Sequence, residues 1–177
     1  PKPLRDPSTN EVLGYEAQYV GTVSVTREGT EGTGADGNTT IIPSSVTVTS
    51  IRQEAGVGDR LAPVPPRDFD NLVPHAPSQP MAGQIVSIYG ESLNAGQNQI
   101  VALNRGSQDG IERGHVMALW HDGRVIRDTT TDSREQIKLP DERHGLLFVF
   151  RVFNRMSYAL ILSAQDPVKR GDRFTQP

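Results

Sequence analysis

Four histidines, His75, His115, His121 and His144, are the first side chains to weigh for chemistry. Neutral imidazole ligates zinc and shuttles protons, but either task needs partners within a few ångströms. His115 and His121 are the nearest pair in sequence, and six residues of extended strand would hold them about 20 Å apart. That spacing predicts surface or turn histidines and no metal site. Asp141 and Glu142 adjoin Arg143 and His144 in LPDERHG. Acid–base catalysis by two carboxyls requires both at a substrate, with their pKa values driven apart. Pro140 and Gly145 bracket this stretch as a solvated hairpin loop instead. GTEGTGADG spaces its glycines like a phosphate loop, yet it lacks the Lys-Ser/Thr pair and opens no helix. There is no GxSxG elbow and no cysteine, which removes thiolate sites and disulfides. The sequence therefore predicts no catalytic residue and no cofactor.

Arg170-Gly171-Asp172 spells an adhesion tripeptide, but a near copy, Gly58-Asp59-Arg60, points to a turn. Three stretches share the pattern: GVGDRL (56–61), GIERGHVM (110–117) and PVKRGDRF (167–174). In each, an apolar plug leads to Gly58, Gly114 or Gly171, which can take a conformation that side chains resist. Asp59 or Asp172 can then accept hydrogen bonds from nearby amides and fix the corner, before an apolar residue starts the next strand. SVTVTSIRQEAGVGDRL and SYALILSAQDPVKRGDRF match further upstream, which predicts two related β-modules.

The elements around these corners are strands. Of 177 residues, 35% are hydrophobic and 22% charged, with 17 Gly and 13 Pro. That mix favours many short strands over long helices. Tyr15 to Thr26 alternates as one strand bent at Gly21, and 44–51 is a second. The Gly-rich stretch 28–40 reads as a mobile loop. Strand patterns resume at 84–90, 100–106, 115–123, 136–140, 145–153 and 157–164, the last two as a hairpin across NRMS. GLLFVFRVF has apolar residues on both faces and is expected to be the most buried strand. Residues 62–82 hold six of the 13 prolines and read as a linker. Its Phe69, Leu72, Val73 and His75 form a candidate partner-binding strip, and DFDNLV could make one helical turn. Aromatics near YVG, IYG and Trp120 offer a glycan-binding face as the alternative. The fold expectation is all-β: two small barrel- or sandwich-like modules, 1–62 and 83–177, joined by the Pro-rich 63–82. A net charge of −3 gives no footprint for nucleic acid. No apolar run reaches membrane-spanning length. PKPLRDPSTN lacks an initiating Met and a leader pattern, so an upstream domain is expected.

DPSTNEVLGYEAQYVGTVSV, VPHAP, LNRGSQDG and LPDERHGLLFVFRVF resemble the TsaP-like, LysM-containing proteins associated with the type IV pilus secretin. The resemblance runs over nearly the whole chain. It is to the region after the LysM module, which is similar to the C-terminal part of a flagellar outer-ring protein. It implies a periplasmic, non-enzymatic protein that binds the outer-membrane secretin, with copies ringed around it. Anchoring to peptidoglycan would run through a LysM module absent from this sequence. It supplies no interface residues by position.

Overall fold

Alternating apolar side chains in the C-terminal half roll into a closed six-stranded antiparallel barrel. A computed structural model describes residues 2–33, 37–64, 72–90, 92–127 and 136–177. The chain forms two units: Pro1–Glu16 with Phe69–Pro177, and Ala17–Asp68. The architecture is all-β, with one 3-10 turn, Ser107–Asp109, among the described residues.

Strands β1 (Lys2–Arg5) and β2 (Val12–Glu16) form a hairpin in the first unit. The second unit holds β3 (Gly21–Arg27), β4 (Thr30–Thr33), β5 (Thr39–Ile42) and β6 (Ser45–Ile51). The barrel then uses β7 (Ala82–Ile88), β9 (Ile100–Leu103), β10 (Val116–His121), β13 (Glu142–Val152), β14 (Ser157–Ala164) and β16 (Arg173–Thr175). Short ladders join β8 (Asn94–Ala95) to β15 (Val168–Lys169), and β11 (Val125–Arg127) to β12 (Gln136–Lys138). Around the barrel the order is β10-β13-β14-β9-β7-β16. Inward residues Ile85, Leu103, Met117, Leu119, Leu147, Val149, Ile161 and Phe174 are fully buried and form one core. β16 closes the cylinder with few bonds, pairing on one side with Ala118–Trp120 and on the other with Ala82–Gln84.

Several expectations change. Residues 1–62 are not one module, because β1 and β2 pack on the barrel. Leu4 joins Val86, Ala102 and Met156 in a second small core, with Leu13 and Tyr158 against it. The Asp6 carboxylate, buried, accepts from the amides of Ser8 and Thr9 and from Asn104 Nδ2 at 2.7 Å. Asn104 Oδ1 in turn accepts from the Gln84 amide at 2.7 Å. Burial pushes the Asp6 carboxyl upward, but the Asn104, Thr9 and Ser8 hydrogen bonds and the Arg105 charge outweigh it, and the net shift is downward. Tyr158 O–H donates to Glu16, and burial first, then that carboxylate, raises its pKa.

The strand expected from Tyr15 to Thr26 breaks over 17–20, separating β2 from β3. The stretch expected as a loop at 28–40 pairs instead, as β4 with β5, beyond a kink where the Gly29 amide donates to Ser44 Oγ. Ladder bonding needs no apolar side chains, so Thr- and Gly-rich sequence can extend a hairpin already in register. β13 is not the most buried strand: Leu147 and Val149 face the core, while Leu146, Phe148 and Phe150 are half-buried. Val101, Ala102 and Leu103 of β9 are all fully buried, because the β1–β2 hairpin covers its outer side.

The three glycine corners share one local geometry. Gly58, Gly114 and Gly171 have φ of +104°, +100° and +93°. The following side chain accepts from the amide three residues back: Asp59 from Gly56 at 2.8 Å, Asp172 from Lys169 at 2.7 Å, His115 Nδ1 from Glu112 at 3.2 Å. The surroundings differ. Ile111 and Val168 are buried barrel plugs, whereas Val57 is fully exposed and no barrel encloses it among the described residues. The two-module duplication is therefore replaced by one barrel and a separate set of ladders. Substituting Gly171 with Ala should cost about 1–2 kcal/mol from the left-handed backbone alone, since a Cβ there meets nothing within 4 Å. Gly114→Ala should cost more, because its Cβ would press on the Val73 carbonyl at 2.8 Å and the His75 ring at 2.9 Å. Urea midpoints should rank Gly114→Ala below Gly171→Ala.

Candidate protein-docking surface

The ladder of β3 with β6 sets Val23 opposite Val48 and Val25 opposite Val46. Period-two alternation puts these four valines on one face and Thr22, Ser24, Thr47 and Thr49 on the other. β-Branched residues suit such a surface, and apolar cross-strand pairs each add a fraction of a kcal/mol. Yet no described residue of 17–68 is buried. Val25 is 57% exposed, Val48 50% and, on β5, Ile41 68%. Both ladders of the unit are two-stranded, so each strand keeps one edge without a ladder partner among the described residues. Open edges with an apolar face are places where another strand can add. The polar face is held internally: Thr49 Oγ1 donates to the Thr22 carbonyl and Thr26 Oγ1 to that of Ser45.

The linker strip expected from sequence is only partly a surface. Phe69 lies outside the described residues, as does most of the expected helical turn. Leu72 is half-buried and Val73 is 71% exposed. His75 is pinned through its backbone: its amide donates to the Gly114 carbonyl at 3.0 Å, and its carbonyl accepts from Val116 at 2.8 Å. The structure thus fixes His75 against the barrel, with its Nδ1 2.9 Å from the Val73 carbonyl oxygen.

The four histidines, expected to be scattered, fall into two pairs. His75 and His115 rings meet edge to face at 4.9 Å, as do His121 and His144. Burial, then the neighbouring His75, lowers the pKa of His115 against an opposing pull from Glu112. Burial, then His121, lowers that of His144, against Asp172 and Asp166. No spacing signal announced either pair: His75 meets His115 through an isolated bridge, and His121 meets His144 only through the register of β10 with β13. Asp141, weighed for acid–base work, is tied up otherwise. It accepts from the Gly123 amide at 2.9 Å and ion-pairs with Arg173 and Lys138. That amide bond, ahead of the two cations, holds its carboxyl below the usual range. Asp172 of the RGD tripeptide caps its own corner. Trp120, half-buried, donates Nε1–H to Thr175 Oγ1 at 2.8 Å, which ties the edge of its indole to β16. Compared with known proteins, the chain matches no family model and no curated sequence.

Proposed function

We propose that this chain is a non-enzymatic accessory protein of the bacterial periplasm that clasps the outer-membrane secretin of the type IV pilus. Residues 17–68 are its docking element, and peptidoglycan is reached through an upstream LysM module. The observation that carries the reading is the β3–β6 ladder, with four valines on one face and, among the described residues, an unpaired edge on each strand and no buried side chain in the unit. Such an element gains most by adding to another sheet, and a secretin wall built of repeated subunits offers many equivalent strands. The sequence resemblance supplies the partner's identity. Copies ringed on a multimer turn modest single contacts into avidity. A net charge of −3 favours a protein partner over nucleic acid.

The test is co-purification of detergent-solubilised secretin with this 177-residue chain, against variants Val25→Asp and Val48→Asp. The wild type should retain secretin and both variants should lose it while keeping the barrel's thermal transition. Failure of the wild type to retain secretin overturns the reading. Sedimentation of the chain with purified sacculi, without secretin binding, would instead establish the glycan-binding alternative.

A further inference from the structure

Three adjacent barrel strands bring His121, His144 and Asp172 to one end of the cylinder. β10 is central and ends on His121, β13 flanks it with His144, and Asp172 immediately precedes β16 on the other side. Opposite β10, Leu119 pairs with Gly145 and Trp120 with Arg143, so His144 is the extra residue of a β-bulge. A bulge re-aims a side chain, and this one leaves His144 3% exposed. Neither ring nitrogen of His144 has a hydrogen-bond partner, and buried His121 Nδ1 has none either. The Asp166 main chain approaches the His144 ring and favours its protonated form, without meeting hydrogen-bond geometry. A buried polar nitrogen left unpaired forfeits the hydrogen bonds it made to water, so such a group calls for a partner.

We infer that His121, His144 and Asp172 form a zinc-binding site at this end of the barrel, with water as the fourth ligand. One ligand atom from each residue lies within 4.8 Å of the others. His121 Nδ1 and Asp172 Oδ1 are already 3.7 Å apart. Tetrahedral zinc with bonds near 2.0–2.1 Å sets its ligand atoms about 3.4 Å apart, so small shifts complete the site. Asp172 is suited to both tasks, since Oδ2 caps the Lys169 amide and Oδ1 is left for the ion. Arg173, next to Asp172 in the chain, is neutralised by Asp122 and Asp141. A cleft of about 430 Å³ lined by His121, Glu142 and Asp166 opens on one of the three ligands, His121.

The other cluster, His75, Glu112 and His115, is a poorer site. His115 Nδ1 accepts from the Glu112 amide, so neutral His115 carries its proton on Nε2 and offers no lone pair there. A zinc ion at the first cluster would staple β13 and β10 to the corner that leads into β16, where the barrel closes on only three residues.

Untagged protein, stripped with EDTA, is titrated with Zn²⁺ and Co²⁺, with Mg²⁺ as control. One equivalent of Zn²⁺ should bind and raise the melting temperature, and Co²⁺ should give the visible absorption of a low-coordinate nitrogen–oxygen site. Asp172→Asn, which keeps an oxygen for the Lys169 amide, and His121→Gln should each weaken Zn²⁺ binding at least roughly tenfold. Glu112→Gln should bind as the wild type does. The inference is overturned by wild-type binding weaker than roughly 100 µM, or by tight binding that survives both ligand substitutions. His121 is one-third exposed, so its variant reports on binding even if Asp172→Asn fails to fold.

Discussion

Phe174→Ala is expected to cost about 3–5 kcal/mol, the usual loss when a buried aromatic leaves a cavity. A barrel stable by about 5–15 kcal/mol would lose a large share of that. The ring is fully buried, and it fills the space left by Gly83, where any Cβ would overlap it and press on Asn104 Oδ1. β16 carries Phe174 on three residues and joins β10 to β7. The cavity therefore opens at the seam of the cylinder, where few ladder bonds can compensate. Urea unfolding should show the fall in midpoint. Hydrogen exchange should show lost protection first at Leu119 and Gly83, before the β13–β14 hairpin. A midpoint within 1 kcal/mol of wild type would mean that β16 does not hold the barrel shut. Gly83→Ala should be much less harmful in the Phe174→Ala background, since the two residues compete for one volume.

Asn104→Asp should reverse the acid response of the protein. In the wild type, Asp6 has a folded pKa below its ordinary 3.8. The unfolded chain then takes up the proton more readily, so this contribution is present above about pH 4 and lost as pH falls through the folded value. In the variant two carboxyls face each other in the same buried spot, beside the amides of Ser8 and Thr9 and the charge of Arg105. Two like charges at that distance cannot both stay ionised cheaply, so one folded pKa rises. Its penalty is greatest at neutral pH and is relieved as pH falls. At pH 7 the variant should be less stable by about 3 kcal/mol, as expected when a buried hydrogen-bonded group meets an unmatched charge. Its stability relative to the wild type should climb on acidification toward pH 5, while the wild type itself loses some, because the folded pKa values of His115 and His144 lie below their ordinary 6.5. Thermal melts at pH 7 and 5 decide it: a variant with the wild-type profile would show that Asp6 and residue 104 do not share one buried network. Because Asp6 anchors the β1–β2 hairpin, exchange protection at Leu4 should follow the same pH course.

What was legible in the sequence was local. The 157–164 strand, its hairpin with 145–153 and the turn-forming role of glycine at three corners follow from alternation and φ chemistry within a few residues. Contacts between distant positions were not. Nothing near Asp6 names Asn104, 98 positions away, as its partner. The repeated Gly-Asp-Arg suggested duplication because a corner is encoded in four residues, whereas the surroundings that bury Val168 and expose Val57 are set by the whole chain. The His121, His144 and Asp172 grouping was hidden for a related reason. Strand register across a barrel puts residues side by side irrespective of their separation along the chain, and a single bulge decides which of them turns inward. The Thr- and Gly-rich stretch read as a loop failed differently: its pairing comes from the hairpin it continues and leaves no apolar trace.

One consequence follows from the path of the chain through its first unit. Residues 17–68 depart from that unit after Glu16 and rejoin it by Phe69. A protease nick within that excursion would break the covalent thread without dissociating the halves. The amino-terminal piece would remain mated to the barrel by Leu4, by the Asp6–Asn104 bond, by Glu11 with Arg155 and by Glu16 with Tyr158. Two bands on a denaturing gel could therefore come from a particle that still migrates as one, and its excursion is a natural place to reopen the chain for permuted or split forms.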